Sequence, residues 1–406
     1  MHVLMLTASL PYPPQQGGAL RSYGLLTGIA KAGHQVSLLS FSDYPGKGWQ
    51  GTPLETICQR IETVPTPSRS KADRLRDLLL SSDADIARRM WSDPFFDKLK
   101  TMVATDNIDV VQFEGIEVAC YLAPLRESGT TVRLVYDAFN AEAALQQVIF
   151  EVDRTVPTRW PAAAYSLIQT SRIKRYERLL CKQADQVIAV SDEDAVILSE
   201  HQPKRSIAVV PNGIFVEDYQ STSKQLDLGP QALVFTGKMD YRPNVDAVLW
   251  FVQEILPLVQ KQVPDARLYV VGQQPHPRIE ALRSHPNIEI TGWVKDVQPY
   301  LRGATVYVAP LRMGSGTRLK LLEAMACHCA VVATNIARSG LKSTANAAMR
   351  VADTPTSQAE AIVHLLNNPT ERAIIGQAAH HFVRSSYDWS VLIPDLLKLY
   401  AEPTRG

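Results

Sequence analysis

Short apolar runs recur along this chain, each followed by a stretch long enough for a helix, and that rhythm constrains the fold more than any other feature. HVLMLTA at 2–8 leads into a Pro/Gly-rich loop, LPYPPQQGGA, and then a helical stretch from Leu20 to Ala32 that ends at Gly33. HQVSLLSF, IDVVQFE (108–114) and VRLVYDA (132–138) repeat the pattern. Runs of this length, bounded by turn residues, predict parallel strands covered by helices on both faces. The same order restarts with IAVVPNG, ALVFTGK, ARLYVVG, IEITGWV, TVYVAPL and AVVAT, with a helix expected over Asn244–Val263. Two successive α/β units are therefore expected, parted near 200–230 by a polar stretch, and an amphipathic helix at Val391–Tyr400 closes the chain.

Length agrees: 406 residues exceed the ~250–300 at which a single hydrophobic core stops growing. With 42 Lys+Arg against 41 Asp+Glu, the chain lacks the basic excess that nucleic-acid binding requires. No window approaches the ~18–20 apolar residues of a membrane span, and MHVLMLTASLPYPP has no basic region before its apolar run, so a cytoplasmic protein is expected. Five cysteines, at 58, 120, 181, 327 and 329, do not make a disulfide framework.

In open α/β sheets ligands bind beyond the carboxyl ends of strands. The most informative such place is Val306 to Thr334, VYVAPLRMGSGTRLKLLEAMACHCAVVAT, which reads strand, glycine loop, helix, strand. A helix beginning at Gly316 or Thr317, with Ser315 as its cap, puts Gly316, Leu319, Lys320 and Glu323 on one face. Free N–H groups favour an anion at such a start, Gly314 and Gly316 let it approach the backbone, and Arg318 and Lys320 add formal charge. Glu323, deeper on the helix, suits a pair of hydroxyls such as those of a ribose. This is the layout of a nucleoside diphosphate site, although an ordinary surface pair beside a tight turn has the same pattern.

The sequence resembles, over nearly its whole length, the retaining, nucleotide-sugar-dependent glycosyltransferases of family 4. GSGTRLKLLEAMACHCAVVAT is similar to that family's donor-site signature, TGKMDYRPNVDAV to the loop after the first strand of the donor domain, and VVPNGIFVEDY to the segment entering that domain. TASLPYPPQQGGALR with KAGHQV resembles the amino-terminal glycine loop and following helix. The resemblance implies the GT-B fold, two facing Rossmann-like domains with a cleft between them. It divides the chain into an acceptor-side domain, 1–205, and a donor domain, 206–385, with helix 386–406 crossing back onto the first.

Carried over residue by residue, the resemblance implies Lys238, Arg318 and Lys320 as catalytic cations on the donor diphosphate. Gly17, Gly18, Gly314, Ser315, Gly316, Thr317 and Glu323 are implied around the donor, and Trp293 and Val294 around its base. Two departures stand out: Ser315 replaces the first of two glutamates that relatives space eight apart, and Asn244 stands where many carry a second lysine. On the acceptor side, Arg21 and the YDAFNAE residues Asp137, Asn140 and Glu142 are candidates, with helix capping the alternative for the last three. Phe139 occupies the place of a histidine in similar proteins. Cys327-His328-Cys329 lacks the second pair that a zinc site needs and reads as packing.

Residues 155–183 hold six Lys/Arg and one acid with Trp160, Tyr165 and Tyr176 interspersed, a candidate contact with an anionic membrane surface and equally a solvated helix. The expected reaction is metal-independent transfer of a sugar from a nucleoside diphosphate donor, with retention, to a glycan or lipid-linked acceptor. No cofactor is expected, the nucleotide sugar being substrate, and nucleic acid is not an expected partner. Two alternatives share the fold: a nucleotide-sugar epimerase, and a glycosyltransferase-like subunit that binds without transferring. A dinucleotide-dependent dehydrogenase would need G-x-G-x-x-G after the first strand, which TASLPYPPQQGG does not supply.

Overall fold

A computed structural model describes residues 1–14, 17–44, 46–70, 73, 76–77, 80–154, 160–203, 206–220, 225–313 and 319–402. The chain forms two compact units, Met1–Pro211 with Leu392–Gly406, and Asn212–Val391.

Among the described residues the first unit holds seven parallel strands: β1 (His2–Thr7), β2 (Gln35–Ser42), β3 (Arg60–Pro65), β4 (Val110–Glu114), β5 (Arg133–Ala138), β6 (Gln186–Ala189) and β7 (Ala208–Val209). Their order is β3-β2-β1-β4-β5-β6-β7. Every residue of β1, β4 and β5 is buried, as strands covered on both faces require. Winding reverses between β1 and β4, which makes their carboxyl ends the place where a crevice opens.

The helix Gly17–Lys31 packs Leu25, Leu26 and Ile29 against this sheet. Gly28 on it receives Ile393 of the last helix, Trp389–Ala401, so closely that a Cβ at Gly28 would lie 2.5 Å from Ile393 Cγ1. Tyr400 of that helix donates its hydroxyl to Gln112 on β4. The chain thus returns to its first unit after completing the second.

The second unit holds β8 (Ala232–Thr236), β9 (Arg267–Val271), β10 (Ile288–Gly292), β11 (Val306–Ala309), β12 (Val331–Ala333) and β13 (Arg350–Val351), all parallel and ordered β10-β9-β8-β11-β12-β13. Here the reversal lies between β8 and β11. The loops after β8 and β9 pair backbone to backbone: Gly237 N–H donates to Val271 O at 3.0 Å and Met239 N–H to Gln273 O at 2.9 Å. A Cβ on Gly272 would sit 1.7 Å from the Gly237 carbonyl oxygen, so only glycine fits there.

Three strands escaped the sequence reading, and one changes place. β3 is an edge strand with Arg60 and Glu62 among its residues, so it has no continuous apolar run. β6 and β13 are four and two residues long. IAVVPNG, read as opening the second unit, instead supplies β7, which pairs with β6 and closes the first sheet. The helix expected over Asn244–Val263 runs as Arg242–Trp250, a π-helical turn at Phe251–Ile255, and Leu256–Gln260. Pro257, which has no N–H to donate, follows that turn.

Candidate active site

In the second unit the site grows from the carboxyl end of β8. Thr236 leads into Gly237 and Lys238, and the helix Leu319–Ala326, which follows β11, brings Lys320 to the same place. Lys320 Nζ donates to Asn244 Oδ1 at 2.6 Å and stands 4.6 Å from the centre of the Phe235 ring on β8. The Asn244 amide in turn donates to the Lys238 carbonyl at 2.8 Å. Asn244 is 5% exposed, so this amide is fixed. A Cβ on Gly237 would lie 2.8 Å from Lys320 Nζ and 2.7 Å from Asn244 Nδ2. Glycine at 237 therefore makes room for both groups. Lys238 itself is half-exposed and lies 3.3 Å from Asp240.

One turn beyond Lys320, Glu323 accepts a hydrogen bond of 3.0 Å from the Tyr219 hydroxyl. Burial raises the Glu323 carboxyl above its ordinary range, against the Tyr219 hydrogen bond and the Lys320 charge. Tyr219 belongs to the turn Val216–Tyr219 and was not singled out in the sequence, although it ends the quoted VVPNGIFVEDY. Trp293 and Val294 follow Gly292 at the end of β10; the Trp293 ring is 68% exposed and so is no core residue, whereas Val294 packs on the core. Gly314, Ser315, Gly316, Thr317 and Arg318 lie outside the described residues. The structure thus brings together Lys238, Lys320 and Glu323, and adds Asn244 and Tyr219.

Cys327 and Cys329 are buried, and the Cys329 thiol donates to Leu301 O at 3.1 Å. His328 stacks on His380 with ring centres 4.0 Å apart.

In the first unit two acceptor-side expectations are corrected. Arg21 and Asp137 are both buried and form a forked ion pair, Nε to Oδ2 at 2.7 Å and Nη2 to Oδ1 at 2.8 Å. Arg21 Nη1 donates further to Val210 O at 2.9 Å. A guanidinium and a carboxylate so matched are turned on each other, not on a ligand. Gly18 is also explained by packing: its Cβ would meet the Phe139 ring at 2.9 Å, while Gly17 faces open space.

Asn140 donates to Glu142 at 3.1 Å. Neither caps the helix Glu142–Asp153 that follows, because Glu177 accepts from the Glu142 and Ala143 N–H groups and Asp194 from that of Ala141. Capping is therefore not what holds Asn140 and Glu142 in place. Burial pushes the Glu142 carboxyl up to about 7, with the Glu117 and Glu177 charges adding and the Asn140 hydrogen bond opposing.

Glu114, the last residue of β4, was passed over although a carboxylate ending an apolar strand is a visible signal. It is 1% exposed and accepts from the Ser22 hydroxyl at 2.7 Å and from Gln112 Nε2 at 2.5 Å. Burial, with the Asp137 charge nearby, holds its carboxyl well above the usual range.

Two family models match the chain: one described as glycosyl transferase 4-like domain, over residues 16–213, and one as glycosyl transferases group 1, over residues 230–368. A phosphatidyl-myo-inositol mannosyltransferase of Propionibacterium freudenreichii is 27% identical over 264 residues, 62% of this chain and 65% of that protein. The match thus spans a little under two thirds of that relative's length. Sucrose-phosphate synthase from Thermosynechococcus elongatus superposes with a TM-score of 0.70 at 18% identity, covering 99% of this chain and 98% of that one. Anabaena HepE in complex with UDP does so with a TM-score of 0.64 at 13% identity, covering 99% of this chain and all of that one. At these identities the likeness establishes the fold, which is GT-B.

Proposed function

This chain belongs to the group 1, 4-like glycosyltransferases, and on that footing we propose that it moves a sugar from a nucleoside diphosphate to a hydroxyl acceptor, with retained configuration. The observation that carries the reading is the cluster at the winding reversal of the second sheet, where Lys320 is anchored by Asn244 and Glu323 follows one turn later.

Breaking the anomeric bond builds negative charge on the departing diphosphate. Lys320 and Lys238, with Arg318 and the glycine loop Gly314–Thr317 added from the sequence, are the groups assigned to stabilise it, and fixed charge of this kind is usually the largest catalytic contribution. The step is assigned to these cations without a metal. Glu323 is assigned to the nucleotide's ribose hydroxyls, and Trp293 with Val294 to the base. A uridine nucleotide is the first to try, since HepE is described as a complex with UDP.

The acceptor is proposed to be a glycan or lipid-linked glycan, with Asn140 and Glu142 on its side of the site; the name of the mannosyltransferase relative supports a lipid. The helix Trp160–Gln183 supports work at the inner, anionic face of a membrane, because Leu167, Ile168 and Leu179 are exposed on it together with Lys174, Arg175, Arg178 and Lys182. Among the described residues no helix is long and apolar enough to cross a membrane.

Melting curves with UDP-, GDP- and ADP-sugars test the donor site, since a ligand that binds only the native state raises its apparent stability. Lys320→Ala and Glu323→Ala should each lose the shift. Donor turnover that needs an added acceptor separates transfer from epimerisation. Retention of full donor affinity in both variants would overturn the assignment.

A further inference from the structure

On the amino-terminal side of the glycine segment 314–318 stands Arg312, which follows the end of β11 by three residues. Its guanidinium meets Asp246 as a fork, Nε to Oδ2 at 3.0 Å and Nη2 to Oδ1 at 2.6 Å, and lies 5.1 Å from the centre of the Trp250 ring. Asp246 and Trp250 are one turn apart on the helix Arg242–Trp250, which also carries Asn244, the anchor of Lys320. That helix is itself fixed, because Val245, Ala247, Val248 and Trp250 are buried in the core of the second unit. Next to Arg312 in the chain, Leu311 is buried and its carbonyl accepts from the buried Thr334 hydroxyl at 2.5 Å. One embedded helix therefore holds a side chain on each side of segment 314–318, Arg312 before it and Lys320 after it.

An exposed ion pair alone contributes little, since water competes for both partners. This one is more ordered: a fork fixes the plane of the guanidinium as well as its position, and an aromatic ring restricts it further. Its sign is also informative. Asp246 is an anion paired with a cation two positions before Gly314, where an arginine left unpaired would attract phosphate more strongly. The pairing gives up charge and gains a fixed geometry.

We propose that Asp246 and Trp250 form a clasp on Arg312 that positions the start of segment 314–318, as Asn244 positions Lys320 after its end, and so sets the affinity for the diphosphate of a donor. The role rests on the nucleotide-sugar reading above. Arg312 is then a positioning residue, whose effect passes through the chain that follows it. Small displacements of a binding group cost affinity and rate steeply, which is what such support prevents.

Titration of the full chain with UDP, GDP and ADP, each against its nucleoside, tests the clasp; calorimetry reads the diphosphate and saturation-transfer NMR the nucleoside. For the base that binds, Asp246→Asn and Arg312→Ala should each weaken the diphosphate ten-fold or more, while the nucleoside, assigned to Glu323 and Trp293, changes less than two-fold. Asp246→Asn removes a negative charge and keeps the shape, so a loss of anion affinity there is not electrostatic. Arg312→Lys keeps the charge and loses the fork, and should fall with Arg312→Ala. Unchanged or tighter diphosphate binding in Asp246→Asn overturns the inference, and with weaker binding in Arg312→Ala it makes Arg312 a phosphate ligand in its own right. Equal losses of diphosphate and nucleoside also overturn it, since they signal a general loosening of the unit. A parent chain that binds none of the three diphosphates removes the nucleotide-sugar reading and the clasp's role with it, whereas a parent that binds one, matched by its variants, removes the clasp alone.

Discussion

Lys320 gives its shortest described hydrogen bond, 2.6 Å, to the side chain of Asn244, a residue on a different helix that itself reaches back to the Lys238 carbonyl. Asn244 is a neutral amide that anchors Lys320. Asn244→Ala should therefore leave Lys320 charged but without this anchor. Hydrogen bonds to charged groups contribute about 1.5–3 kcal/mol, or roughly 10–100-fold. Steady-state transfer kinetics should show a fall of that size in kcat/KM for donor. Asn244→Asp, which pairs with Lys320 by charge and offsets it, should lower kcat further while keeping the fold.

The Tyr219 hydroxyl donates to Glu323, the carboxyl proposed above to take the ribose hydroxyls, so a bound nucleotide is expected to replace this donor. Tyr219→Phe leaves a partly buried carboxyl without this donor and should lower the unliganded stability by about 1–3 kcal/mol. Nucleotide sugar should restore most of it, so the ligand-induced melting shift of Tyr219→Phe should exceed that of the parent chain. A smaller shift would mean that Tyr219 itself contacts the nucleotide.

The Arg21–Asp137 pair is buried on both sides, and removing one partner strands the other. Asp137→Ala should cost about 3–5 kcal/mol in denaturant unfolding of the first unit. The double change Arg21→Met with Asp137→Leu should cost clearly less than the single one. Binding of nucleotide to the second unit should survive both.

Glu142 has a carboxyl raised to about 7 in the folded chain against an ordinary value near 4.5. The folded state therefore holds a proton that the unfolded state has released, and stability falls as pH rises from about 4.5 through 7. Glu142→Gln removes that loss. Its stability relative to the parent should improve between pH 5 and pH 8 by roughly 1–3 kcal/mol, measured by urea unfolding at both pH values. No change in the difference would mean that Glu142 titrates in its ordinary range.

The central strands were legible because burial on both faces writes an unbroken apolar run, as in HVLMLTA or VRLVYDA. Edge strand β3 was not, since a strand with one open side keeps Arg60 and Glu62 and so looks like a loop. Lys320 and Glu323 were legible from helical spacing, which is local. What holds them was not: Asn244 is 76 positions from Lys320 and Tyr219 is 104 from Glu323, distances over which only the fold sets proximity. The same limit misassigned Arg21, whose partner lies 116 positions away and whose burial no local pattern announces.

The last helix sets Ile393 into the notch at Gly28 and hangs Tyr400 on Gln112, so the first unit is assembled from the two ends of the chain. On the ribosome, then, residues made early must wait for residues made hundreds of positions later. The second unit has every segment it needs by Val391, whereas the first sheet spends that interval with the Gly28 notch unfilled. Emergence of the helix Trp389–Ala401, and not that of β7, is the event expected to let the first unit finish folding, and a nascent chain stalled before Leu392 should be open to protease there while its second unit is already resistant.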